Sequence, residues 1–235
     1  MTRPIWSRRA QLLSTFCKGF YRSVTKRYRK DAGLEQNTDI YFNPDFAEVL
    51  ETWAVKNAWR EIQVLLGDRT GKALDVACGT GRTFDFLKRF KGLEYYGCDI
   101  SSMLIEKAVQ RGISSEKLRV MDATVLAYAD REFDFLFSIG SLEHFTVDGL
   151  RSALKECRRV CRGLNFHMIP VSASGLDEGW IKPYQAYWNN SQQWWVNIFE
   201  ETFGYNVWTM SSKWEDDQSR GVWFICGIED GFVNN

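Results

Sequence analysis

The sequence predicts an α/β domain built on a seven-stranded, mostly parallel sheet. An antiparallel strand lies at its C-terminal edge, helices cover both faces, and a helical extension precedes it. Three observations predict this. From Lys72 to about Ile169, short apolar runs alternate with helical-period segments, the rhythm of parallel strands covered on both faces. The 235 residues, 45% of them hydrophobic, suffice for one large core without staples. Two late apolar runs, joined by the short polar connection from Ser212 to Ser219, read as an antiparallel pair added to the sheet edge.

The extension comes first. Ile5, Trp6, Leu12, Leu13, Phe16 and Phe20 recur at roughly helical spacing, and residues 1–30 hold nine Lys or Arg and no acid. A basic amphipathic helix of this kind packs on the domain, covers an active site as a lid, or touches an anionic membrane surface. These readings stay open, as does a homodimer through the same helices. Asn43 and Pro44 suit the cap and first position of a second helix, whose apolar period runs to Leu66 before Gly67 to Gly71 breaks it. The expected division is an extension or lid over residues 1–66 and a main domain over 67–235.

Within the main domain, strands are expected at Lys72–Ala77, Leu93–Cys98, Leu118–Met121, Phe133–Ser138 and Gly163–Ile169. Helices are expected at Thr83–Phe90, Ser102–Arg111 and Asp148–Val160. Pro170 to Trp188 reads as a long loop, followed by a helix at Gln192–Phe203 and strands at Tyr205–Ser211 and Arg220–Ile228. Most of the ten Trp lie from Trp180 onward, and such aromatics either fill a core or line a pocket.

Composition excludes some functions. Thirty basic and thirty acidic residues balance to zero, against the basic excess of nucleic-acid binders. The six Cys form no CxxC pair and no zinc spacing, which suits reduced thiols in the cytoplasm. No apolar run reaches the length of a membrane span, and no signal peptide is expected.

The chemistry-bearing segment is Ala73-Leu74-Asp75-Val76-Ala77-Cys78-Gly79-Thr80-Gly81. A strand enters a turn with two glycines, whose backbone can approach a ligand closely, and exposed amides at the next helix start can bind a carboxylate. Asp99 ends the next strand, where an acid can take both hydroxyls of a ribose. Asp122 ends the third strand and could accept from an adenine amino group. Each acid alone would be an ordinary turn former; three ligand-suited positions at successive strand ends point to a crevice site. No Gly-Lys-Ser/Thr follows, against a triphosphate loop, and Phe84 stands where a dinucleotide loop has its third glycine.

Leu74 to Gly81, Tyr96-Gly97-Cys98-Asp99-Ile100-Ser101, Met121-Asp122-Ala123 and Phe133 to His144 resemble four successive motifs of the class I, Rossmann-like methyltransferases that use S-adenosylmethionine. Ala77 replaces the more usual first glycine. The resemblance implies that Asp75, Ala77, Gly79 and Gly81 surround the methionyl end of S-adenosylmethionine. Asp99 with Ile100 would bind its ribose, and Asp122 with Ala123 its adenine. Ser138 and Ile139 would lie beside the sulfonium and the acceptor. His144 and His167, the two histidines, follow strands expected to face one crevice, and either could serve as general base. Some relatives with Glu-x-x-Glu-His at this place bind a divalent ion; Gly140 stands where the first Glu would be, so no metal is expected, although Glu143, His144 and His167 could still form a partial site. Tyr184, Tyr187, Trp188, Asn189 and Trp194 mix stacking faces with amides, suited to a sugar or an aromatic small molecule. The reading is methylation of a hydroxyl on a small molecule or glycan by a monomer or homodimer. An N-methyltransferase and a catalytically silent cofactor-binding scaffold are the alternatives.

Overall fold

The computed structural model describes residue 36 and residues 38–54, 56–181, 185–204 and 207–227. The basic amphipathic segment of residues 1–30 lies outside them, as does Tyr184.

The first helix, α1, spans Pro44–Thr52; the Asn43 side chain accepts from the Asp45 N–H and Pro44 occupies the first turn. The periodic run does not continue as one helix. Trp53 turns extended, Ala54 takes a positive φ of 54°, and α2 starts afresh at Ala58–Leu66. The break lets the Trp53 indole leave the helix direction and meet Trp214, ring centroids 5.3 Å apart. Helix α2 buries Trp59, Ile62 and Leu66 and leaves Val64 86% exposed on the opposite side.

Strand β1 (Gly71–Val76) leads to the short helix α3 (Phe84–Leu87). Phe90 donates to the Leu87 carbonyl, a 3-10 closure that ends α3 before the expected Phe90. Then follow β2 (Leu93–Asp99), α4 (Ser102–Gln110), β3 (Leu118–Val120) and β4 (Phe135–Ile139). Helix α5 (Val147–Val160), capped by Thr146, precedes β5 (Leu164–Ser172).

The expected loop after Ile169 is partly strand. β5 runs on to Ser172 because β9 continues beside it to the Ser172–Ser219 pair. Pro170 hid this in the sequence. It is tolerated because β4 ends at Ile139 opposite Met168, so the missing N–H at Pro170 leaves no β4 acceptor unpaired. Beyond it, Trp180–Ile181 (β6) and Tyr187–Trp188 (β7) form a small antiparallel pair. Helix α6 (Gln192–Phe203), capped by Ser191, leads to β8 (Val207–Glu215) and β9 (Ser219–Gly227).

The main sheet has seven strands in the order β3-β2-β1-β4-β5-β9-β8. Strands β1 to β5 are parallel; β9 is antiparallel to both β5 and β8, so it lies one place in from the edge. Strand alternation divides the core between two faces. Leu136, Ile169 and Phe224 pack with Leu154, Trp195 and Phe199 of α5 and α6. Phe137, Phe166 and Trp223 pack with Ile62 and Leu66 of α2 on the other face. Trp195 and Trp223 are fully buried, so part of the aromatic excess is core. Strand order reverses between β1 and β4, and the crevice at their C-terminal ends is where such sheets bind ligands. Among the described residues, no helix is long and apolar enough to cross a membrane.

Candidate active site

The turn after β1 is held in place by its neighbours. Ala77, Gly79 and Gly81 have φ of 56°, 54° and 69°. The left-handed region costs a residue with a Cβ roughly 1 kcal/mol or more, so Ala77 carries strain that the surrounding packing sustains. A Cβ on Gly81 would come 2.5 Å from Ile113 Cδ1, so this glycine lets the turn pack on α4 and does not line the cavity. Gly79 faces the other way, into the cavity.

Asp99, at the end of β2, ties the turn to the sheet. Its Oδ2 accepts from the Gly79 N–H and its Oδ1 from the Ser101 N–H, both at 2.9 Å. Burial pushes its pKa up to about 6 against these bonds. Asp75 lies behind the same turn. Its Oδ2 accepts from the Thr83 hydroxyl and, at 2.8 Å, from the Tyr95 hydroxyl, while burial raises its pKa to about 7. Arg111 clamps the assembly from outside the cavity. Its Nε donates to the Thr80 carbonyl at 2.8 Å, one Nη to Asp85 at 2.7 Å and the other to Glu51 of α1. Asp122 sits exposed at the cavity edge, its Oδ1 accepting from both the N–H and the hydroxyl of Thr124 at 2.8 Å.

One cavity of about 690 Å³ runs past Asp75, Ala77, Gly79, Asp99, Ile100 and the Asp122–Ala123 pair to Ile139. Beyond Ile139 it continues into a second half. There Gly140, with φ of 64°, lies under Trp53; a Cβ at Gly140 would meet Trp53 Cη2 at 2.1 Å. Trp214 of β8 backs Trp53. Tyr187 enters from β7 and donates to Gln218 at 3.2 Å, and the turn Asp216–Ser219 of the β8–β9 hairpin closes the wall. Tyr41 closes it from the N-terminal side, accepting from Gln185 Nε2 at 2.8 Å.

Glu143 and His144 form the floor of this half. His144 Nδ1 lies 2.8 Å from the Ala186 carbonyl, so it carries the proton and donates; Nε2 then presents a lone pair, 3.6 Å from Glu143 Oε1. Burial lowers the pKa of His144 to about 4 and raises that of Glu143 to about 8. Glu143 Oε2 has no hydrogen-bond partner among the described residues. Among the described residues, no group of three or more His, Cys, Asp or Glu could hold a metal.

Several expected site residues lie elsewhere. Alternation along β4 and β5 turns Ser138 and His167 to the α5–α6 face, where Ser138 Oγ and His167 Nδ1 bond at 2.8 Å. Both side chains are fully buried, the His167 ring packs on Phe199, and burial lowers its pKa to about 3; it does not reach the cavity. Trp188 points opposite to Tyr187, stacks on Trp194, meets Trp180 edge to face, and donates to the Phe145 carbonyl at 2.9 Å. Asn189 is fully buried, its amide engaged by Glu178 and Ser219. Trp188, Asn189 and Trp194 thus brace the cavity wall without lining it, and the stacked aromatics beside amides that suggested a sugar are used internally. Sequence reading missed Trp53, Trp214, Glu143 and the Asp216–Ser219 turn as cavity residues. Only Glu143 stood in a motif examined for chemistry; the others looked like helix core, strand or polar connection.

The donor set fits an adenosyl amino acid. Asp99 has carboxylate lone pairs beyond its two backbone bonds for a diol, Asp122 Oδ2 sits at the edge, and Arg82, which pairs with Glu51 and Asp85, also lines the cavity.

Comparison with known proteins agrees with that fit. A family described as Methyltransferase domain matches residues 73–163. The probable tRNA methyltransferase 9B of Mus musculus is 35% identical over 106 residues, 44% of this chain and 22% of its own length. The O-methyltransferase resE of Aspergillus sclerotiorum is 33% identical over 129 residues, 51% of this chain and 47% of its own. In both cases the chain spans less than half of the curated relative. A SAM-dependent methyltransferase structure from Methanosarcina mazei has the same fold, with a TM-score of 0.62 at 17% identity over 74% of this chain and 100% of that one.

Proposed function

We propose that this chain, whose fold and matched domain are those of the class I, Rossmann-like S-adenosylmethionine-dependent methyltransferases, methylates a hydroxyl on a planar small molecule. The observation that carries the reading is the continuity of one cavity from the carboxylates of Asp75 and Asp99 to a wall of Trp53, Trp214 and Tyr187. When bound, S-adenosylmethionine supplies a methyl carbon on a cationic sulfur; as the acceptor oxygen bonds to that carbon, the carbon–sulfur pair stays on sulfur and the acceptor's proton is released.

The chain's own residues bind, orient and exclude water. Asp99 takes the ribose diol while holding the Gly79 and Ser101 amides, so cofactor affinity and turn geometry are coupled. Asp122 meets the adenine edge. Asp75 and Ala77 shape the methionyl end, and Arg82 faces its carboxylate. Residues 38–54 act as the cover, with Tyr41 and Trp53 shielding the reacting half from water. Flat indole faces at Trp53 and Trp214 favour a planar ring over a glycan. Glu143 and Asp216 on the same wall favour, as a second reading, an amine acceptor.

The test is calorimetric titration with S-adenosylmethionine and S-adenosylhomocysteine, followed by a screen of phenols and aryl amines scored by mass. Tight binding with transfer to a phenol supports the proposal. Transfer only to amines moves it to the second reading, and no binding by folded protein overturns it.

A further inference from the structure

We infer that Glu143 takes the acceptor's proton. This rests on the reading of the cavity as a hydroxyl-methylating site.

Glu143 is 2% exposed, yet it lines the cavity, and its Oε2 lacks a hydrogen-bond partner among the described residues. A buried carboxyl oxygen without a donor is destabilising, so a group retained there is explained by a ligand that supplies the donor. An acceptor hydroxyl does so. The location is right: Glu143 stands four residues past Ile139, next to Gly140 and Trp53, where the cofactor half of the cavity meets the acceptor half.

His144 lies beside the carboxyl. Its Nδ1–H is committed to the Ala186 carbonyl, so its Nε2 can only accept, and it faces Oε1 rather than Oε2. Oε2, turned away from His144, is the oxygen left for the acceptor. The groups facing Glu143 are His144 on its own turn, Tyr41 from the turn before α1, and Tyr187 from β7, with Asp216 beyond Tyr187. None of the four is a cation at neutral pH, since burial keeps His144 neutral. A carboxyl in such surroundings holds its proton to about pH 8, close to the range of a phenol, which matches base and acid. In the step, the acceptor O–H bond breaks, its electron pair stays on the acceptor oxygen, and the proton goes to Oε2 of ionised Glu143. The proton then leaves to solvent when product departs.

The test uses the full chain loaded with S-adenosylhomocysteine and the probe 4-nitrophenol, whose ionised form absorbs visibly. Calorimetry, absorbance and infrared carboxyl bands are followed from pH 6 to 10 for wild type and Glu143→Gln. Expected in wild type is a protonated-carboxyl band that titrates near pH 8 and shifts with nitrophenol. The bound nitrophenol should ionise at least one pH unit away from its midpoint in Glu143→Gln, and the variant should lack the band. Affinity for S-adenosylhomocysteine should differ less than twofold between the two proteins. Identical nitrophenol titrations in both proteins, or a wild-type carboxyl already ionised at pH 6, overturn the inference. Nitrophenol binding to neither protein, with S-adenosylhomocysteine bound by both, overturns the hydroxyl reading beneath it. If Glu143→Gln does not fold, the wild-type infrared titration with and without nitrophenol decides alone.

Discussion

Trp53 and Gly140 are locked together: the indole occupies the space where a Cβ on Gly140 would lie, 2.1 Å from Cη2. The contact joins the cover to the end of β4, and Gly140 also holds φ of 64°. Gly140→Ala therefore meets both a clash and backbone strain, each of order 1–3 kcal/mol. We expect a melting temperature at least 4 °C lower and at least fivefold weaker binding of S-adenosylhomocysteine by calorimetry. Unchanged binding would show that the cover contributes nothing to the cofactor half.

Asp99 bonds two backbone amides and faces the cavity, so its replacement acts twice. Asp99→Ala should weaken S-adenosylhomocysteine at least tenfold and destabilise the unliganded protein by about 1–3 kcal/mol in urea unfolding. A variant with lost stability and intact affinity would remove Asp99 from the ligand site.

Arg111 does not line the cavity, yet it joins Thr80, Asp85 and Glu51. Arg111→Ala leaves two carboxylates and a carbonyl without their common donor. The expected loss is about 2 kcal/mol of stability, with a three- to tenfold rise in Kd for S-adenosylhomocysteine. Chemical denaturation and calorimetry on the same samples check both values.

Trp214 touches Trp53 and lines the cavity, on the side that the proposed function gives to the acceptor. Trp214→Ala should raise the KM of a phenolic acceptor about tenfold while S-adenosylhomocysteine affinity stays within twofold. Equal losses in both would place Trp214 in general packing.

Asp99, Asp75 and Glu143 have pKa values raised by burial to about 6, 7 and 8. The unfolded chain ionises these groups near their ordinary values, 3.8 for Asp and 4.5 for Glu, while the native state keeps the protons longer. Between those limits the native state binds more protons, so stability falls as pH rises, and the decline ends once each folded value is passed. Unliganded wild type should melt lower at pH 9 than at pH 6. Glu143→Gln should show a shallower decline between pH 5 and pH 8. Equal slopes in scanning calorimetry would falsify the assignment of Glu143 as a buried acid.

Much of the fold was legible because strands and helices announce themselves locally. Ala73 to Gly81 reads as strand and glycine turn from residue type alone, and Asp99 and Asp122 follow from being at strand ends. What failed was any property set by a side chain's direction or distant partner. Ser138 and His167 were placed near the crevice by position in sequence, but strand alternation turns both into the α5–α6 face. Trp188 and Asn189 failed for the same reason beside Tyr187, which does reach the cavity.

The sequence by itself determined the alternating sheet, the order of its motifs and the acids at successive strand ends, since periodicity and turn chemistry are local. Only the tertiary structure decided the acceptor half. Trp53, Glu143, Tyr187 and the Asp216–Ser219 turn come from four distant segments. Their meeting depends on a helix break at Ala54, a strand carried past Pro170 and a hairpin added at the sheet edge. Each of those is fixed by long-range packing, whose energy no short stretch of sequence contains.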